Sequence, residues 1–395
     1  YIQRDATCYD PRLAMDVELL WDFLLETQEE TMEYLLKKLS KETITNLINT
    51  EIVKGGFLFA LKEGVFIENK QLRLLYRKPA TSFNEKAVQQ YQANRLSVIE
   101  EVVYEEDDRI DLVIFINGLA LFAIELKFNP NGQSIQDAIK QLKGRNPKNR
   151  LFRFEQGVLA SFAVDTLEVY MTTQLKGQET YFLPFNMGKG EGIETGSGNP
   201  HNPDGVDTEY LWLDVLTMDS ILQLVESFIF YEVDKSNSKK KTLIFPRYHQ
   251  RRAVSRLLED MKTNHTDNNY LIQHSAGSGK TNTIAWLAHS LVSLHDDQNR
   301  NIVDTVLIVT DRIVVDRQLQ DAVRQINHKN GVVKVMGDRE TSSDLADAIA
   351  GNTKIIATTI HKFAQINQSD WMSVGNTANK KFAILIDEAH SSTTG

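Results

Sequence analysis

The strongest constraint on what this chain can fold into is a glycine-rich loop set between a short apolar run and a helical one. Gly277-Ser278-Gly279-Lys280-Thr281 ends the segment His274–Thr281. Tyr270–Ile272 precedes it as a predicted strand, and Thr283–Leu294 follows with Ile284, Leu287, Ala288 and Leu291 at helical spacing. Strand, glycine loop and helix in that order describe a phosphate cradle, because glycines let successive backbone N–H groups converge on an anion at a helix N-terminus. Ser275, Ala276, Gly277, Ser278, Gly279, Lys280 and Thr281 would form it. The Lys280 ammonium suits β/γ-phosphate oxygens and the Thr281 hydroxyl suits Mg²⁺. His274 stands where the strict pattern has Gly, and an ordinary glycine turn is the competing reading.

Phe382–Ile386 is a run of five apolar residues that ends in Asp387-Glu388-Ala389-His390. Such a run reads as a buried parallel strand that delivers its acids to the sheet's C-terminal edge. With the cradle upstream, Asp387 is expected to hold Mg²⁺ and Glu388 to position or deprotonate water, so ATP with Mg²⁺ is the expected ligand. His390 would sense the γ-phosphate or link to a later motif. Thr305–Thr310, ending in Asp311-Arg312, and Ile355–Thr359 add two more buried strands between helical stretches, the alternation of a doubly wound α/β lobe. Phe245-Pro246-Arg247-Tyr248-His249-Gln250 resembles the adenine-reading segment of superfamily 2 helicases, which would set Gln250 on the adenine edge. Thr310, Arg312 and Thr359 would then face DNA, although strand ends and helix caps explain them equally well.

A second constellation lies upstream. Arg109–Ile116 and Leu119–Lys127 are apolar strands joined through Asn117-Gly118, a hairpin signal. Glu125 and Lys127 are two apart and share a face. With Asp111 they form D-x(n)-E-x-K, in which two carboxylates hold Mg²⁺ and the ammonium orients a water toward phosphorus. A salt-bridged strand edge is the ordinary alternative, yet charges inside apolar strands are costly unless used. The six acids Glu100, Glu101, Glu105, Glu106, Asp107 and Asp108 read as a solvated turn. Register decides the matter. A strict two-residue turn pairs Ile116 with Leu119 and puts Asp111 opposite Ile124, away from Glu125; a metal site requires a longer loop or one bulge.

The series Asp111…Glu125-Leu126-Lys127, Phe162–Asp165, Val169–Thr173, Phe182–Asn186, Gly196–Pro203 and Gln273–Thr281 is similar to the restriction (motor/endonuclease) subunit of type I restriction-modification enzymes. Tyr9–Ala14 and Phe23–Gln28 fit as well, so the resemblance runs along essentially the whole chain. It implies ATP-dependent translocation of double-stranded DNA, Mg²⁺-dependent cleavage, and a complex with methyltransferase (modification) and specificity subunits. It also implies a restriction-endonuclease-like nuclease domain followed by a RecA-like superfamily 2 helicase motor lobe with a doubly wound parallel sheet. Family members carry Gln-x-x-x-Tyr on the next helix. Here Ser134–Gly144 offers Gln141 as a catalytic candidate, with Ile135, Ala138, Ile139 and Leu142 on the buried side, and Arg145 stands in the tyrosine position, where it could contact phosphate.

The 395 residues, 42% of them hydrophobic, allow two cores, expected as a nuclease domain at 1–235 and a motor lobe at 241–395. An amphipathic helix near Met15–Leu39 belongs to the first. The chain opens on Tyr and stops five residues past His390, so a truncated chain lacking a second motor lobe is expected. A net charge of −9 leaves DNA contact to a local basic stripe such as Lys235, Lys239, Lys240, Lys241, Arg247, Arg251, Arg252 and Arg256, where the lysines read as a solvated linker. The single Cys8 excludes an internal disulfide, no apolar run is long enough to span a membrane, and the cytoplasm is expected. Gly188–Gly205 reads as a long irregular loop, with Lys189 a candidate for coupling to a motor. Two other readings remain: a stand-alone ATP-dependent DNA translocase with an inactive nuclease fold, and a scaffold subunit that only binds ATP, against which Glu388 argues.

Overall fold

The computed structural model describes residues 1–79, 83–106, 108–189, 198–234, 237, 240–264, 268–275, 277–296, 298–311, 317–326, 332–337, 339–366, 377 and 379–388. Contacts divide the chain into two compact units, Tyr1–Ile229 with Leu243–Tyr248, and Phe230–Thr242 with His249–Gly395. The chain is mixed α/β, with parallel strand pairs in both units.

In the first unit the strands are β1 Ile2–Arg4, β2 Tyr9–Asp10, β3 Met15–Asp16, β4 Val65–Ile67, β5 Lys70–Leu72, β6 Leu96–Glu105, β7 Asp108–Ile116, β8 Leu119–Leu126, β9 Ala160–Val164, β10 Val169–Thr172 and β11 Leu183–Pro184. Its helices are α1 Val17–Thr27, α2 Glu29–Leu36, α3 Lys41–Gly55, α4 Phe57–Glu63, α5 Glu85–Gln92, α6 Ile135–Gly144 and α7 Met218–Gln223. The main sheet runs β1-β6-β7-β8-β9-β10-β11, with β2 and β3 attached at the side. β7 runs antiparallel to both β6 and β8, whereas β9 runs parallel to β8 after the crossover through α6. Val113, Phe115, Ala123 and Ala163 form one core cluster with Ile135, Ala138, Ile139 and Leu142 of α6, the buried side read from the sequence. The helix expected over Met15–Leu39 is two helices instead. Gln28 breaks it, at φ −142°, because its side chain leaves the helix to accept from the Arg73 backbone N–H at 2.8 Å and to donate to the Arg73 carbonyl at 2.9 Å.

Asn117 and Gly118 both adopt positive φ, 50° and 81°, as the primed hairpin turn between β7 and β8 requires. Asn117 is buried: it accepts from the Arg95 backbone N–H and donates to Asn94 and to the Leu74 carbonyl, so its amide fixes three neighbouring segments. Of the long loop, Gly188 donates to the Gly198 carbonyl at 2.8 Å, and residues 190–197 lie outside the described set.

The second unit opens with β12 Phe230–Val233, paired with β13 Lys241–Ile244, and continues with α8 Tyr248–Asn264, α9 Lys280–Leu291, β14 Thr305–Thr310, α10 Arg317–Ile326, β15 Val333–Val335, α11 Ser342–Ala350, β16 Ile355–Thr359, α12 Ile360–Ala364 and β17 Phe382–Asp387. Four strands form a parallel sheet in the order β15-β16-β14-β17. Thr310 lies opposite Thr359 on one side and Asp387 on the other, so three strands end in one row. The strand expected at Tyr270–Ile272 does not form: this stretch is irregular, and the Tyr270 hydroxyl donates to Asp260 of α8 at 2.6 Å. Three apolar residues offer too few ladder bonds to hold a strand without a paired neighbour.

Gly118 separates two costs of a side chain. An added Cβ there would lie 2.6 Å from the Leu20 nitrogen, whereas at Gly132, also at positive φ, it would meet nothing within 4 Å. Gly118→Ala should lower stability by about 3 kcal/mol and Gly132→Ala by about 1 kcal/mol. Denaturant midpoints of the two variants check it, and equal losses would discount the close approach.

Candidate active sites

The β7–β8 pairing carries a bulge. Ile116 faces Leu119 and Phe115 faces Ala120, but Ile114 faces Phe122, leaving Leu121 as the extra residue. Beyond it Val113 faces Ala123 and Leu112 faces Ile124, and this register carried one residue past the last ladder pair sets Asp111 opposite Glu125. This is the pairing a metal site needs, reached through a bulge beside a two-residue turn. Leu121 is fully buried, so the bulge is packed into the core.

At this point the charged side chains meet. The Lys127 ammonium is 3.0 Å from Glu125 Oε1 and 3.9 Å from Asp111 Oδ2, and it donates to the Leu126 carbonyl at 2.9 Å. Asp111 accepts from the Leu126 backbone N–H at 2.6 Å, which pins its carboxylate to β8. Glu125 is fully buried. Burial pushes its carboxyl above the ordinary range and the Asp111 charge adds to this, while hydrogen bonds from Arg145 and Lys127 oppose it.

Sequence reasoning named the fourth member of this network, Arg145, but not its carboxylate partner. Arg145 is buried: it donates from Nη2 to Glu125 Oε2 at 2.9 Å and from Nη1 to Asp108 Oδ1 at 3.1 Å and the Tyr104 hydroxyl at 3.2 Å. Its guanidinium also lies over the Tyr104 ring, 5.6 Å from the centroid. Its guanidinium forms an internal ion pair with Glu125, since a buried carboxylate between two strands demands a partner. The signal available in the sequence was a charge directly after an amphipathic helix that packs on the carboxylate's own strand. Gln141 is exposed on α6, and no hydrogen bond among the described residues joins it to the triplet. The acids before Asp111 are partly engaged: Glu105 accepts from Asn146 and Asn149, and Glu101 pairs with Arg109 at 3.7 Å. Asp107 lies outside the described residues.

In the second unit Gly277 and Gly279 take left-handed φ, 74° and 85°, and Gly279 caps α9, which starts at Lys280, ahead of the expected Thr283. The Gln250 amide donates to the Gly279 carbonyl at 2.9 Å, and a His249 ring nitrogen lies 3.2 Å from the Ser278 carbonyl. Thus Gln250, expected on an adenine, is also a brace of the loop. Lys280 reaches Glu388 Oε1 at 3.2 Å, bringing the loop and the strand end together. Glu388 turns the chain at φ 56° directly after Asp387 closes β17. His274 packs edge-on against His249 at 5.0 Å, and burial, helped by nearby His249 and Lys280, lowers its pKa. Ser275 and Thr281 are described within this loop and the first turn of α9; Ala276, Arg312 and His390 lie outside the described residues.

Comparison with known proteins matches both halves. Residues 17–180 match the type I restriction enzyme R protein N terminus family, and residues 249–395 match the SWI2/SNF2 ATPase family. The chain thus resembles an R-protein N-terminal region followed by an ATPase region. A Methanocaldococcus jannaschii protein assigned as a type I restriction enzyme endonuclease subunit (MjaVIIIP) is 26% identical across 98% of this chain and 36% of its own length. Type I restriction enzyme endonuclease subunits of Staphylococcus aureus and Staphylococcus saprophyticus are each 26% identical across 76% of this chain and 30% of their own length. The chain is thus similar to R (endonuclease) subunits of type I restriction enzymes, and it spans about a third of the length of the curated relatives it matches. Among the described residues no helix is long and apolar enough to cross a membrane.

Gly279 offers a test of the loop geometry. A Cβ there would lie 2.5 Å from the Gln250 amide nitrogen on a backbone already at φ 85°. Gly279→Ala should weaken nucleotide binding by about tenfold or more while circular dichroism stays unchanged. Retained affinity, measured with a fluorescent nucleotide, would show that the cradle tolerates the displaced glutamine.

Proposed function

We propose that this chain is the nuclease and first motor part of a restriction subunit: it uses ATP to move double-stranded DNA and cuts that DNA at a Mg²⁺-dependent centre. The observation that carries the reading is the bulged β7–β8 register, which gathers Asp111, Glu125 and Lys127 at one point of a chain whose other unit holds a glycine cradle closed by Lys280 and Glu388. A nuclease fold kept only as scaffold has no use for that convergence. In this reading the restriction-endonuclease-like domain covers about 1–235 and a RecA-like, doubly wound motor lobe covers 241–395.

The donor set suits a small hard cation. Lys127 touches two oxygens, Glu125 Oε1 and the Leu126 carbonyl, and lies 3.9 Å from Asp111 Oδ2, so a positive charge already sits among oxygen donors. Two carboxylates, Asp111 and Glu125, would leave the remaining positions to water, as Mg²⁺ prefers. Asp111 and Glu125 would hold the ion, which when bound supplies Lewis-acid stabilisation of charge on the phosphate. Lys127 would then turn its ammonium to the attacking water or the scissile phosphate. In the other unit, Lys280 and the loop N–H groups from Ser275 to Thr281 would take the ATP phosphates, the Thr281 hydroxyl and Asp387 would hold Mg²⁺, Gln250 would serve the adenine end, and Glu388 would orient water. Lys280 must leave Glu388 to do so, and the released carboxylate is then available for that water. Methyltransferase and specificity subunits are the partners this reading requires, in the cytoplasm.

The two chemistries should separate by mutation. Asp111→Asn or Glu125→Gln should abolish DNA cleavage and leave DNA-stimulated ATP turnover within about twofold, whereas Lys280→Ala should cut turnover by about 10³-fold and remove cleavage that depends on translocation. Both are measured on the complete subunit with its partner subunits. Loss of ATP turnover in Glu125→Gln, or cleavage that survives it, would overturn the division of labour.

A further inference from the structure

We propose that Arg145 sets the cation preference of the Asp111–Glu125 centre: by holding Glu125 Oε2 it leaves only Oε1 for a metal, which favours Mg²⁺ over Ca²⁺. The inference rests on the nuclease reading above and assigns the selecting residue outside the triplet.

The two oxygens of the buried Glu125 carboxylate are divided between two cations of different stiffness. Lys127 touches Oε1 at 3.0 Å through a flexible stem that can swing away. Arg145 holds Oε2 at 2.9 Å through a planar guanidinium that is itself fixed by Asp108 and the Tyr104 hydroxyl and stacked over the Tyr104 ring. Arg145 is 7% exposed against 48% for the Asp108 side chain, so the buried end of this clamp lies at Glu125. An incoming cation can displace the lysine more readily than the arginine. Mg²⁺ takes six ligands in a strict octahedron, keeps several waters and accepts carboxylates through one oxygen. Ca²⁺ takes six to eight oxygens and gains from bidentate carboxylates. Committing Oε2 to Arg145 costs Mg²⁺ no ligand it would use and denies Ca²⁺ its second oxygen. A residue that only balanced charge would act on both ions alike, because both carry the same charge, so the ratio of the two affinities isolates positioning from charge.

The test titrates Mg²⁺ and Ca²⁺ into the whole subunit without nucleotide by calorimetry, with the Glu125→Gln protein as baseline for this centre. Arg145→Met and Arg145→Gln should shift the ratio of affinities toward Ca²⁺ by about tenfold or more, whatever happens to each affinity alone. Tyr104→Phe, which loosens the guanidinium and keeps it, should shift the ratio the same way by less, and it serves if neither Arg145 variant folds by circular dichroism. An unchanged ratio in a folded variant overturns the proposal, including the case in which both affinities move together. Wild-type isotherms equal to those of Glu125→Gln would instead remove the metal centre itself, and with it the reading on which this inference stands.

Discussion

One extra residue in a hairpin organises the first unit. Side chains alternate across a strand, so a one-residue slip between β7 and β8 reverses which of their residues share a face. The bulge at Leu121 makes that slip next to a turn whose own geometry is strict, with Asn117 and Gly118 in left-handed backbone. Turn and bulge together bring Asp111 into line with Glu125, while Val113, Phe115 and Ala123 stay on the face that α6 covers. Core packing and site assembly therefore depend on the same register.

That register creates an electrostatic problem, which the surrounding side chains solve. Two carboxylates side by side, one of them fully buried, repel each other and lose hydration. Lys127 and Arg145 offset both effects, the first from the same strand and the second from the end of α6. The second unit meets a similar need in milder form, with Lys280 resting on Glu388 where the glycine loop and β17 meet. In each unit a lysine that is expected to act on phosphate chemistry rests on a carboxylate within 3.2 Å.

In the second unit, positions are set by parallel pairing. β14 lies between β16 and β17, so Thr310, Thr359 and Asp387 end on one line, and Glu388 follows directly after it. The loop before α9 owes its shape to two glycines at positive φ and to Gln250 and His249 bonding to its carbonyls.

The sequence by itself determined the elements whose signal is local: the Asn-Gly turn, the apolar strands β7, β8, β14, β16 and β17, the buried side of α6, and the glycine loop with its lysine. Each depends on residues within one or two turns or pleats of one another, where spacing and composition carry the information. It also posed the register question without answering it, because either pairing satisfies the same alternation of apolar residues. Only the tertiary structure decided that Leu121 bulges, since that choice depends on how β8 packs against β3, β9 and α6. It decided likewise that Arg145 turns inward to Glu125 while Gln141 faces solvent, that Gln28 ends α1, and that Tyr270–Ile272 remains irregular. These outcomes depend on partners far along the chain, as Gln28 finds Arg73 and Arg145 finds Tyr104, Asp108 and Glu125, and no local pattern encodes such a meeting.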